Sequence, residues 1–109
     1  MDLHKYRWAK TYESGEHQLE IYLSDHNIDA ERWEAKAGET FEPHIHAKDK
    51  KIWCAEGSIV FDFGNKKVPL QVGDALDVPA NTMHSAVAGF MGCVCYESPH
   101  IADNPAISS

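Results

Sequence analysis

The chain of 109 residues is long enough for one compact domain and too short for two. Its formal net charge of −7 argues against a surface built to grip nucleic-acid phosphates, and no run approaches the roughly 18 apolar residues of a membrane span. Cys54, Cys93 and Cys95 are an odd number of cysteines, and the opening residues carry no apolar leader stretch. Both features argue against a disulfide framework and lead us to expect reduced thiols in a cytoplasmic protein.

In chain order, "MDLHKYRWAKTY" mixes aromatic and basic residues without periodicity and reads as an extended arm. In "SGEHQLEIYLSDHNI", Leu19, Tyr22 and Leu23 recur at helical spacing, which predicts one short helix with Ser14 as N-cap and Glu16 in the first turn. Strand texture follows. "AERWEAKAG" alternates up to Gly38. "KKIWCAEGSIVFDFG" is rich in β-branched and aromatic residues, and its break at Glu56-Gly57 reads as a hairpin or tight turn. A further turn is predicted at Gly64-Asn65, and a short strand in "ALDVPANTMH" stops at Pro79. "SAVAGFMGCVCYES" reads as two short strands around Gly89 and Gly92, and the tail from residue 99 to 109 reads as loose. Short strands about ten residues apart, punctuated by glycine and proline, predict an all-β sandwich or barrel. A single domain over 1–109 is expected, with its core at about 28–98 and an arm and helix over 1–27. Trp53 and Phe61 or Phe63 are expected in its core or at a sheet interface.

The chemistry concentrates in histidines. Residues two apart on a strand share a face, so His44 and His46 can aim imidazoles at one point, which is half of a metal site. Two surface histidines after Pro43 would be the plainer explanation. The context favours a site: Gly38, five residues, His44-Ile45-His46, three residues, Lys50, six residues, Gly57; then Gly73, five residues, Pro79, and His84 five positions on.

This pattern resembles the two motifs of the cupins, G-x5-H-x-H-x3,4-E-x6-G and G-x5-P-x-G-x2-H-x3-N, and covers Gly38 to Ala88, about half the chain. The chain is therefore identified as resembling a small single-domain cupin of the RmlC-like kind. The resemblance implies a double-stranded β-helix, or jelly-roll barrel, here with one short N-terminal helix. It also implies a divalent metal ion (iron, zinc, nickel or manganese) on His44, His46 and His84. Three positions depart from the pattern. Lys50 stands where the family has a glutamate ligand, Asn81 where it has a glycine, and Ala88 where it has an asparagine. Asparagine tolerates positive φ, so the turn at Asn81 is expected to survive.

Protonated Lys50 cannot ligate a cation. Three histidines alone could hold the metal, with Lys50 as a catalytic group that binds an anionic substrate or acts as a base. Glu42, of matching strand parity, could supply the carboxylate. Alternatively, the lysine could replace the metal. Its side chain could also simply reach solvent. Cys54 could line the cavity, with Cys93 and Cys95 sharing a face; buried inert thiols are the plainer assignment. His4, His17, His26 and His100 are expected on the surface, and Asp74 and Asp77 in solvated loops.

Two functions follow. The first is a metal-dependent enzyme of dioxygenase or isomerase type acting on a small anionic or oxygen-rich molecule. The second is a non-catalytic ligand or metal-sensing module. No nucleic acid or membrane partner is expected. A homodimer is, with the arm "HKYRWAKTY" crossing to the second copy.

Overall fold

The computed structural model describes residues 3–9 and 14–98. The expected loose tail, His100, and the part of the arm at 10–13 lie outside the described residues. The elements run β1 (His4–Arg7), α1 (Glu16–Asp25), β2 (Glu31–Ala35), β3 (Thr40–His44), β4 (Lys50–Asp62), β5 (Lys67–Gln71), β6 (Asp74–Val78) and β7 (His84–Ser98). All strand pairs are antiparallel. The all-β barrel with a single helix is as expected from the sequence.

Two long strands form the spine. The first half of β4 pairs with β6, and its second half pairs with β5. Strand β7 runs against β4 throughout, while its other edge takes β3 near His84 and β2 near Cys95. Each long strand therefore serves two layers. One layer holds β1, β6, β2 and the outer stretches of the spine, and the other holds β5 and β3. The expected hairpin at Glu56-Gly57 is instead a bulge within one continuous strand, with register shifts on both sides. The two short strands expected after Ser85 are likewise one bent strand, β7. Gly57 and Gly92 have φ near +70°, and a Cβ on Gly57 would lie 2.0 Å from the Gly92 carbonyl oxygen. Only glycine allows the two bends to nest there. The predicted turn at Gly64-Asn65 joins β4 to β5, closed by Phe63 N–H to Lys66 O at 2.8 Å.

The stretch Ile52 to Ala55 is buried at every position because both its faces are covered. Ile52 and Cys54 point into the barrel with Ile59, Phe61, Leu70 and Leu76. Trp53 and Ala55 point outward, beneath Leu19 and Leu23 of the helix and Trp8 of the arm. The arm is not a free strap. His4–Arg7 pairs with β6 of its own chain, and the Trp8 indole N–H donates to Cys54 O at 3.0 Å. The helix cap also differs from expectation. Gly15, not Ser14, is the N-cap and supplies no side chain. Instead, the Glu16 N–H is satisfied by the Glu56 carboxylate at 2.9 Å. Asn27 (φ 55°) ends the helix, with Ile28 N–H on Leu23 O.

Asp74 is buried rather than solvated. Arg7 Nη1 sits 2.9 Å from one carboxylate oxygen, and the Gln71 N–H donates to the other at 3.0 Å. Asp77 pairs with His4 and Lys51, each at 3.3 Å. No helix among the described residues is long and apolar enough to cross a membrane.

Candidate metal centre

His44 ends β3 and His84 opens β7, and the two are direct cross-strand partners. His46 lies two residues beyond β3, in the connection to β4. Its carbonyl accepts the Asn81 N–H at 2.7 Å, and Asp49 Oδ1 accepts the Ala80 N–H at 2.8 Å. These two bonds tie the first histidine segment to the turn before His84. Asn81 has φ 62°, as expected for a residue in the motif's glycine position.

The three rings converge. Their centroids are 4.4 Å (His44–His84), 4.7 Å (His44–His46) and 5.3 Å (His46–His84) apart. One ring nitrogen from each lies within 4.8 Å of the others. His44 Nδ1 is 2.8 Å from Glu42 O, and His84 Nδ1 is 2.9 Å from Thr82 O. A carbonyl only accepts, so in both rings Nδ1 is the donor and Nε2 is the nitrogen left for a metal. Backbone carbonyls holding Nδ1 are a usual way of orienting a metal-ligating imidazole. Burial pushes the His84 pKa below its ordinary value, aided by His44 and His46 and opposed by its bond to Thr82 and by Glu97. This favours the neutral, ligating form. Three imidazoles, each with a nitrogen within 4.8 Å of the others, fit a borderline divalent cation.

Strand β3 carries one extra residue between Phe41 and His44 relative to β7, at Pro43, which has no N–H to lose. The bulge breaks the simple alternation. Phe41 and His44 now line the same cavity, while Glu42 is exposed and lines a different surface pocket. Glu42 is therefore not the missing carboxylate.

That cavity, about 200 Å³, lies between the two layers and is lined by Trp33, Phe41, His44, Ile52, Phe61, His84, Ala86 and Glu97. Lys50 does not reach solvent. It is only 4% exposed, and its Nζ lies 3.3 Å from Glu97 Oε2. Glu97 was not singled out in the sequence. It sits outside both motifs, at the far end of β7, and becomes visible only through its pairing opposite Ile52. Cys54 does not line the cavity. It is fully buried, as is Cys95, and Cys95 Sγ lies 3.9 Å from Cys93 Sγ. Hydrogen bonding to Cys54 and Cys93, with burial, pushes the Cys95 thiol far up, as befits an inert core thiol. His4, His17 and His26 are on the surface.

A two-layer antiparallel barrel with three converging histidines, two of which line a cavity, defines the class: a β-barrel whose histidines could hold a metal ion. The cupin domain family matches residues 31–89, more than half of the chain, and the chain belongs to it. Similar solved structures include a cupin-2 domain protein from Shewanella frigidimarina (22% identity, 65% of this chain and 69% of that one, TM-score 0.57). A DUF861 family protein from Thermotoga maritima is similar over 89% of this chain and 98% of its own, at 12% identity and TM-score 0.64. KdgF from Halomonas sp. is similar over 72% and 93%, at 24% identity and TM-score 0.52. At these identities the likeness carries the fold. No curated protein matches the chain.

Proposed function

We propose that this cupin is a cytoplasmic divalent-metal enzyme of dioxygenase or isomerase type, acting on a small oxygen-rich or anionic molecule. His44, His46 and His84 would hold iron, zinc, nickel or manganese. The observation that carries the reading is the convergence of three histidine nitrogens within 4.8 Å at the cavity. When bound, such an ion supplies Lewis-acid polarisation of a ligand oxygen. The chain's own residues supply the rest. Carbonyls of Glu42 and Thr82 orient two of the imidazoles. Trp33, Phe41, Ile52 and Phe61 give the cavity apolar walls that limit water. Its volume equals that of about six or seven waters, which fits a small molecule. The Lys50 ammonium is engaged by Glu97, which favours retention of the metal over its replacement by the lysine. Lys50 then reaches the cavity's chemistry through Glu97.

The test is metal content by mass spectrometry on protein purified without chelators. About one equivalent is expected, lost in His44→Ala and His84→Ala. Metal found only in Lys50→Glu would refute the reading and leave a metal-free binding module.

A further inference from the structure

We propose that Glu97 is the specificity-determining residue of the cavity and Lys50 its positioning residue. Together they select ligands that present a hydrogen-bond donor beside their metal-binding oxygens, such as a hydroxy acid or a polyol acid, over purely anionic chelators. The inference rests on the metal-site reading above and extends it to the substrate class.

Glu97 is the one acidic side chain lining the cavity that His44 and His84 share. Its side chain is 24% exposed, while that of its partner Lys50 is only 5% exposed. The carboxylate therefore faces the ligand space, and the ammonium stands behind it. Lys50 Nζ lies 3.3 Å from Glu97 Oε2, so the two are ion-paired. An ionised carboxylate only accepts hydrogen bonds. A ligand hydroxyl placed there gains a charge-assisted bond, and a ligand carboxylate placed there meets a like charge. Phe41, Ile52, Phe61 and Ala86 offer no competing polar group on the neighbouring walls. Lys50 and Glu97 project from different spine strands, β4 and β7, and Glu97 faces Ile52 in the register. The pair thus bridges the two spine strands, which can fix the carboxylate's position.

The experiment titrates zinc-loaded protein with oxalate, which has no donor, and with glycolate, which pairs a carboxylate with a hydroxyl. Zinc content is measured in every sample. In Glu97→Gln the ratio of oxalate to glycolate affinity is expected to rise about tenfold at unchanged zinc content. In Lys50→Met, which leaves the Glu97 charge uncompensated, the ratio is expected to fall. Opposite directions from the two halves of one ion pair cannot come from a general loss of stability. If Glu97→Gln does not fold, the double variant Lys50→Met/Glu97→Gln takes its place and should show a smaller rise.

A ratio unchanged within twofold in zinc-loaded Glu97→Gln overturns the inference and leaves the metal site standing. Loss of zinc in Glu97→Gln also overturns it, because Glu97 would then be a ligand. Failure of the wild-type protein to take zinc, or any other divalent metal offered, removes the metal reading itself and the inference with it.

Discussion

Replacing Glu97 with glutamine changes almost no volume and removes one charge, which leaves Lys50 alone in the barrel. At 3.3 Å and an effective dielectric near 20, the lost attraction is about 5 kcal/mol. The partial exposure of Glu97 shows that some water reaches the pair and screens it. We expect Glu97→Gln to destabilise by about 2–4 kcal/mol. Lys50→Met leaves a carboxylate that water can still reach and should cost less, about 1–2 kcal/mol. Replacing both, as Lys50→Met/Glu97→Leu, should fall within about 1 kcal/mol of the parent. Urea unfolding at pH 7 of metal-free protein measures all three, with the slope checked for constancy. A Glu97→Gln loss below about 0.5 kcal/mol would refute the reasoning. So would a Lys50→Met loss larger than that of Glu97→Gln, because the order follows from which partner is the more buried.

Other expectations are independent of that pair. Gly57→Ala combines a positive φ with a Cβ 2.0 Å from the Gly92 carbonyl oxygen, and should cost about 2–4 kcal/mol by urea unfolding; a neutral result would mean the bends do not nest. Hydrogen bonds from Arg32 and Tyr96 hold the Glu16 carboxyl below its usual 4.5. Its stabilising effect is therefore present above that value and lost as pH falls through the lower, folded value. The stability gap between parent and Arg32→Ala should close on acidification in that range, and a gap constant from pH 6 to pH 3 would contradict the assignment. Self-association into a homodimer is proposed, with support from Phe90 (88% exposed) and Met91 (76%) on β7; a monomer by sedimentation at micromolar concentration would refute it.

The sequence carried the barrel and the three histidines because both depend on short-range spacing. His44, His46 and His84 stand at fixed distances from the turn residues Gly38, Pro79 and Asn81, and those turns form. What stayed hidden depends on register. The bulge at Pro43 reverses the alternation that seemed to align Glu42 with His44. Glu97 meets Lys50 only because β7 runs the full length of β4, and 47 residues of chain separate them. The long strands were read as broken at Gly57 and at Gly89–Gly92, since glycine marks a bulge and a hairpin alike. The arm's aromatic residues gave no period because, among its described residues, only Trp8 and Ala9 are buried, and its described strand is held by backbone pairing with β6.

Strand β3 is hydrogen-bonded on one side only, to β7. Two of the three histidines lie at its end, and the third belongs to the spine. A cation gripping all three would act as a clasp on this edge of the barrel. Amide exchange in β3 and the 45–49 connection should then be governed by local opening in the metal-free protein and should slow sharply on loading, while β4 changes little. Occupancy of the site would thus set how often this end of the barrel opens.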